Sequence, residues 1–179
     1  MSDAFLEDEQ QAGDDQAREG LLDAAELKEP LSELPELQPV VTQPPNATVR
    51  EAVNEMTSKR VGIVLVVEDE KLTGVFSERD VLRKVVGTDV DIDATPISEL
   101  MTKDPECLSE DDPLVYALHQ MSMGGYRHIP LIDENGAPTA VVSMRDIVGF
   151  LASLHLAAAL PDPGSVSYTH LRAHETAMY

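Results

Sequence analysis

The sequence predicts an α/β (α+β) fold in which two β-α-β-β-α units pack as a pseudo-twofold pair. The main observation is an internal repeat: residues 30–34 and 77–80 return as residues 96–100 and 143–146, at a constant step of 66 residues. The second observation is that the apolar patterns between these segments follow the same order in both halves. Such a repeat indicates one supersecondary unit used twice, and the seam between the copies is a common place for a small ligand.

The first unit, residues 30–88, opens with an extended segment that includes Thr42 and continues into a predicted helix. Thr48 and Glu51 have the spacing of a capping box, so the helix is expected to begin at Val49. Apolar side chains then recur at helical spacing, as expected for a helix with one buried face.

Two strands and a second helix complete the first unit. Residues 62–67 form a run of mostly β-branched side chains that is typical of a buried strand, and residues 72–77 form a second strand after an acidic turn. A further helix is predicted from about Glu78. The side chains expected on its buried face are Val81, Leu82, Val85 and Val86.

The second unit, residues 96–155, follows a short polar linker at residues 89–95 and repeats this order. Asp112 is predicted to cap a helix that has Pro113 at its first position. Two strands are predicted next, at residues 129–132 and 139–143. The closing helix has an apolar stripe made of Ile147, Phe150, Leu151 and Leu154.

The segments outside the repeat are expected to contribute little to the fold. Residues 1–29 are acidic and have few large apolar side chains, so we expect them to be mostly disordered. Residues 156–179 form a tail. From about residue 165 this tail has no counterpart in the first unit and resembles translated adapter sequence, so it is left out of the functional reasoning.

The composition argues against several classes of partner. The net charge is −20, to which residues 1–38 (12 acidic, 2 basic) and residues 39–164 (20 acidic, 10 basic) contribute −10 each. Such a chain repels a phosphate backbone or an anionic bilayer, so we expect no nucleic-acid and no membrane partner. No apolar run reaches the roughly 18 residues of a transmembrane helix. The single Cys107 fits a reducing compartment, and we expect a cytoplasmic protein.

The order of the elements and the two closing motifs, residues 74–80 and 140–146, resemble the CBS-domain family, which is named for cystathionine β-synthase. The resemblance spans about residues 30–155. It implies a side-by-side pair of motifs that binds adenine nucleotides or adenosyl compounds in the clefts between them. It also implies a free-standing pair that dimerises, often into a flat disc in this family.

A Ser-x-x-Asp pattern at each strand-to-helix junction carries the expected ligand chemistry. The serine hydroxyl and the first free N–H groups of the helix favour an anion, and the aspartate can accept hydrogen bonds from ribose hydroxyls. The adjacent arginine can bind phosphate oxygens. The same pattern is also a plain helix cap, and this alternative stays open. The residues concerned are Ser77, Arg79 and Asp80 in the first unit and Ser143, Arg145 and Asp146 in the second.

The two units differ where their first strands begin, since Arg127 and His128 stand in the second unit where the first has Gly62 and Ile63. We therefore expect the second unit's cleft, with Arg127 and His128 beside its Ser-x-x-Asp pattern, to bind phosphate better. The alternative is that Arg127 pairs with an acidic residue and His128 hydrogen-bonds in the seam. The full set of predicted ligand-binding residues is Thr42, Gly62, Ile63, Ser77, Arg79, Asp80, Arg127, His128, Ile129, Pro130, Ser143, Arg145 and Asp146.

The leading functional hypothesis is a regulatory module that senses AMP, ADP or ATP, with S-adenosylmethionine as a second candidate ligand, and signals occupancy to an unidentified protein partner. The alternative is a ligand-free module whose seam serves only homodimerisation. An enzyme is not predicted, because Ser143, His128 and Asp146 lack the nucleophile elbow of a hydrolase. The sequence also lacks a metal-ligand cluster and a Gly-rich phosphate loop, so no metal or prosthetic group is expected.

Overall fold

The sequence repeat appears in the structure as two β-hairpins, each accompanied by its own helices. The structure is a computed structural model that describes residues 26–35 and 37–159. The expectations for residues 1–25 and for the tail from residue 160 onward lie outside the described residues.

The first unit contains three strands and two helices in the expected order. They are β1 (Thr42–Gln43), α1 (Val49–Lys59), β2 (Ile63–Glu68), β3 (Lys71–Ser77) and α2 (Glu78–Asp80), which continues as a π-helical turn over Val81–Val85. The capping box at the start of α1 is confirmed, because the Thr48 side chain accepts a hydrogen bond from the Glu51 N–H and the Glu51 carboxylate accepts one from the Thr48 N–H.

The second unit repeats this order with a longer closing helix. Its elements are β4 (Thr102–Lys103), α3 (Leu114–Gly124), β5 (His128–Ile132), β6 (Pro138–Ser143) and α4 (Met144–Ala159). The predicted cap of α3 is wrong in one respect. Pro113 occupies the N-cap position, and the Asp112 carboxylate instead accepts a hydrogen bond from the Ser109 N–H at 2.7 Å.

Strand pairing shows that the two units are structurally equivalent. The first sheet has the order β1-β2-β3-β4, in which β1 is parallel to β2 and the other neighbours are antiparallel, while β5 and β6 form the second hairpin. Thr42 pairs with Leu65 in the first unit, and Leu108 pairs with Leu131 in the second. Each residue of the second pair follows its counterpart in the first pair by 66 residues, so the pseudo-twofold relation predicted from the sequence is confirmed.

Each unit donates its N-terminal segment to the other unit. Strand β4 of the second repeat pairs with β3 of the first, and Gln38 of the first repeat pairs with Val141 of the second. The apolar cores follow the same exchange: Leu31 is fully buried among second-unit side chains, and Ile97 among first-unit side chains. The packing units are therefore offset from the sequence repeats, and the exchange ties the two halves together.

The helix that closes the first unit departs from its predicted pattern. The Val86 N–H bonds to the Val81 carbonyl, an i→i+5 bond that defines a π turn and changes which side chains face inward. The predicted burial of Leu82 and Val86 is wrong, since these side chains are 67% and 61% exposed. No helix in the described part of the chain is long and apolar enough to cross a membrane.

Candidate ligand-binding site

Two clefts open where the units meet, and they border each other. The larger cleft has a volume of about 470 Å³ and the smaller about 280 Å³. The larger cleft joins the β3–α2 junction of the first unit to the start of β5 in the second. The smaller cleft joins the β6–α4 junction of the second unit to the end of α1 and the residues before β2. Four residues line both clefts: Gly62, Glu78, Arg127 and His128.

In the larger cleft, Ser77 and Asp80 form the cap of α2. One Asp80 carboxylate oxygen accepts hydrogen bonds from the Ser77 N–H at 2.9 Å and from the Ser77 hydroxyl at 2.7 Å. The other oxygen lies 2.8 Å from the Lys84 ammonium. A carboxylate offers about four acceptor positions, so these three interactions leave Asp80 about one acceptor position for a ligand hydroxyl. The capping role and a ligand-binding role are therefore compatible.

The equivalent junction of the second unit has the same cap but a different neighbour. The Asp146 carboxylate accepts a hydrogen bond from the Ser143 N–H at 2.8 Å, and it lies 3.5 Å from the Gln38 side-chain amide. Gln38 belongs to the segment donated by the first unit. Ser143 and Arg145 line the smaller cleft, whereas Asp146 lines neither cleft.

The arginines around the clefts have different partners. The Arg79 guanidinium donates a hydrogen bond across the seam to the Gly125 carbonyl, which links the two units at the rim of the larger cleft. The Arg127 guanidinium forms no ion pair or hydrogen bond among the residues that the structure describes. The alternative in which Arg127 is tied to an acidic residue is therefore not seen within them, and its guanidinium remains available to a ligand.

His128 is partly buried between the two clefts. Burial lowers the pKa of its imidazole, and the neighbouring Arg127 lowers it further, while Glu78 raises it. The close approach of His128 to the first unit requires Gly62, because a Cβ atom there would lie 3.0 Å from His128 Cε1 and 3.3 Å from a Glu78 carboxylate oxygen. The absence of a side chain at residue 62 thus brings the two units together at this point.

Most of the predicted ligand-binding residues converge on these clefts. The larger cleft contains Gly62, Ile63, Ser77, Arg79, Asp80, Arg127, His128 and Pro130. The grouping differs from the expectation, because Arg127 and His128 face the Ser77–Asp80 junction of the other unit as well as Ser143 of their own. Each cleft combines residues of both units, because it lies between them.

Three of the predicted residues lie outside the linings of both clefts. Ile129 is fully buried in the second core, because side chains alternate along a strand and its neighbours His128 and Pro130 face the cleft. Thr42 is exposed on the edge strand β1, outside both clefts. The Asp146 carboxylate is turned toward the N-terminus of its own helix and toward Gln38.

Sequence reasoning missed several residues of the clefts. Asp104 and Glu106 reach the larger cleft because β4 pairs with β3 of the other unit, an exchange that no local pattern indicates. Arg83 and Lys84 reach it from the turn that follows Asp80. Arg60, in a left-handed conformation at the end of α1, lines the smaller cleft. The one sequence signal for Arg60 as a cleft residue was its position just before the first long strand of the first unit. No group of three or more His, Cys, Asp or Glu side chains that could hold a metal ion occurs in the described residues.

Comparison with known proteins identifies the repeat. The family model described as "CBS domain" matches residues 33–87 and 97–153. An uncharacterized 17.7 kDa protein of Acidianus ambivalens is 34% identical over 112 residues, which are 62% of this chain and 66% of that protein. A CBS domain-containing protein of Arabidopsis thaliana is 33% identical over 112 residues, which are 62% of this chain and 20% of that protein.

A solved structure agrees with the fold. A CBS domain protein from Pyrobaculum aerophilum, complexed with AMP, superposes with a TM-score of 0.60 at 31% identity. The superposition covers 69% of this chain and 98% of that one. This chain thus matches nearly the whole of the solved protein, about two thirds of the archaeal relative and about a fifth of the plant relative.

Proposed function

The chain belongs to the CBS-domain family, and from this premise we propose that it is a regulatory module that binds an adenosine nucleotide in its larger cleft. Occupancy of the cleft would be signalled to a protein partner through the seam that the ligand bridges. The AMP bound by the Pyrobaculum aerophilum protein supports the choice of an adenosine ligand.

The observation that carries the proposal is the pairing of two chemistries across the larger cleft. Asp80 offers an acceptor for a ribose hydroxyl from the first unit, and Arg127 offers an unpaired guanidinium for phosphate from the second. A ligand that uses both must contact both units. The cleft volume of about 470 Å³ also lies within the range of about 300–1,000 Å³ that is usual for small-molecule pockets.

The charges of the larger cleft favour a ligand with few negative charges. Its lining contains four basic side chains, Arg79, Arg83, Lys84 and Arg127, and four acidic ones, Glu78, Asp80, Asp104 and Glu106. A nearly neutral lining suits AMP, and it also suits a zwitterionic compound such as S-adenosylmethionine.

A thermal-shift panel on the full chain tests the proposal. AMP, ADP, ATP and S-adenosylmethionine are compared with GMP at millimolar concentration. A ligand present at 100 times its Kd should raise the free energy of unfolding by about 2.7 kcal/mol, because it binds only the folded state. The proposal is overturned if no adenosine compound raises the melting temperature more than GMP does.

One observation favours the second candidate, a ligand-free homodimerisation module. Leu82 and Val148 are related by the 66-residue step, and both are exposed, at 67% and 55%. Two apolar side chains related by the pseudo-twofold axis are suited to contacts with a second copy. The thermal-shift panel separates the candidates, because an assembly module without a ligand site would show no response to any nucleotide.

A further inference from the structure

Three arginines that converge on the smaller cleft have no protein partner among the described residues. Arg60, Arg127 and Arg145 line this cleft, all three are exposed, and none of their guanidinium groups forms an ion pair or a hydrogen bond within that part of the chain. The whole chain has 33 acidic and only 13 basic residues, so acidic partners are abundant. Three unpaired guanidinium groups at one cleft of such an acidic protein point to an anionic ligand.

The two clefts differ in charge and in size. The charged lining of the smaller cleft consists of these three arginines and Glu78, so it is cationic, whereas the charges of the larger cleft balance. The smaller cleft has a volume of about 280 Å³, against about 470 Å³ for the larger one. Its cationic lining suits phosphate groups.

The clefts also share part of their lining. Arg127 and His128 border both of them from the second unit, and Gly62 and Glu78 border both of them from the first. A phosphate group near Arg127 would thus lie at the boundary between the two clefts, with Arg60 and Arg145 on the side of the smaller cleft.

We propose that the smaller cleft is a polyphosphate subsite. The nucleoside of an ADP- or ATP-like ligand lies in the larger cleft, and its terminal phosphates extend along Arg127 toward Arg60 and Arg145. One nucleotide then occupies both clefts, and these two arginines determine how strongly the protein distinguishes a triphosphate from a monophosphate. This inference rests on the proposed function, since it requires an adenosine ligand in the larger cleft.

Isothermal titration calorimetry of AMP and ATP binding to the full chain tests the subsite. The variants are Arg60→Ala, Arg145→Ala and the double variant, with Arg50→Ala as the control. Arg50 pairs with Asp93 away from both clefts, so its removal changes the net charge by the same amount as each single variant. The double variant should lose about ten- to a hundredfold in ATP affinity, as expected for lost charge-assisted hydrogen bonds, with less than about twofold change for AMP.

A competition experiment with inorganic pyrophosphate supplies a second readout. Saturating pyrophosphate should weaken ATP binding to the unmodified chain while leaving AMP binding unchanged, because it occupies only the smaller cleft. The inference is overturned if the double variant loses AMP and ATP affinity equally, or if two ATP molecules bind per chain. In both cases AMP binding would still support the proposed function, whereas absence of AMP and ATP binding would overturn both.

Discussion

At the scale of single residues, the repeated Ser-x-x-Asp pattern has two different outcomes. Asp80 lines the larger cleft, while Asp146 lies beside Gln38 and lines neither cleft. Both aspartates cap a helix in the same way. The difference between them arises from the segment that packs beside each one, and it provides a matched pair of variants.

Asp80→Ala should weaken AMP binding by about 1.5–3 kcal/mol, the range for a hydrogen bond to a charged group. Asp146→Ala removes the same cap from the other unit and should change AMP affinity much less. The sequence favoured the second unit's cleft, and therefore Asp146, as the residue whose loss weakens ligand binding. Because of the position of the Asp146 carboxylate, this expectation now applies to Asp80. Calorimetry on both variants measures the contrast, and equal losses would show that the aspartates act only as caps.

Arg127→Ala should weaken ATP binding more than adenosine binding, because only ATP presents phosphates to the guanidinium. Charge-assisted hydrogen bonds are worth about 1.5–3 kcal/mol, so we expect a loss of about tenfold or more for ATP. Arg60→Ala should have a smaller effect on ATP, since Arg60 lines only the smaller cleft. If ATP and adenosine lose affinity equally in Arg127→Ala, Arg127 has a structural role.

His128 should make the fold sensitive to acid. Burial, Arg127 and Arg145 lower its pKa, and Glu78 and Asp146 only partly oppose them. The unfolded chain, in which a histidine has a pKa of about 6.5, therefore binds the proton first. The stability contributed by the neutral ring is present above this pH and is lost as the pH falls below it, by at most about 1.4 kcal/mol per pH unit.

Urea unfolding at pH 7.5 and 5.5 measures this effect. The free energy of unfolding should fall more on acidification in the unmodified chain than in His128→Gln, which lacks the titrating ring. An equal fall in both proteins would assign the acid sensitivity to other groups.

At the scale of the elements, the exchanged segments hold the pair together. Leu31 lies in a short 3₁₀ turn far from the second unit in sequence, yet it is fully buried in that unit's core beside Leu114 and Met121. Ile97 occupies the equivalent place in the first core. The apolar faces of α1 and α3 are thus covered within one chain. They are not available for contacts with a second copy of the chain.

Leu31→Ala should lower the free energy of unfolding by about 2–5 kcal/mol, the range for a large-to-small change in a core. Glu33→Ala, in the same turn but exposed, should change it by less than about 0.5 kcal/mol. Urea unfolding of both variants gives the comparison. A small effect of Leu31→Ala would show that the donated segment contributes little to the second core.

At the scale of the whole molecule, the apolar side chains that remain exposed are the candidates for contacts with a second copy. Val49 and Met56 on α1 and Leu114 and Met121 on α3 are all buried. Exposed apolar side chains are found instead on the closing helices and the outer positions of α3. They include Leu82, Val86, Tyr116, Met123 and Val148.

We expect a homodimer that depends on the closing helices. Leu82→Glu combined with Val148→Glu should reduce the mass measured by light scattering to that of a monomer, because a carboxylate is costly to bury without a partner. Met123→Glu serves as a control on a different helix. A monomeric mass for the unmodified chain at micromolar concentration would rule out the dimer without affecting the pairing of the two units.

The sequence by itself determined the two units, their element order and most of the residues near the clefts. The 66-residue step and the alternation of strands and helices are local signals, and they depend on side chains whose pattern can be read along the chain. The same signals located the capping box at Thr48 and the Ser-x-x-Asp junctions.

Only the tertiary structure decided which residues face each other. The exchange of N-terminal segments brings Asp104 to the larger cleft and Gln38 to Asp146, and the crossing of the units sets Arg127 opposite Asp80. These contacts join residues distant in sequence. The free energy that favours them comes from burying apolar side chains such as Leu31 in a core. No local sequence pattern shows in which unit's core Leu31 is buried. The two aspartates therefore have different surroundings, although their sequence motifs are the same.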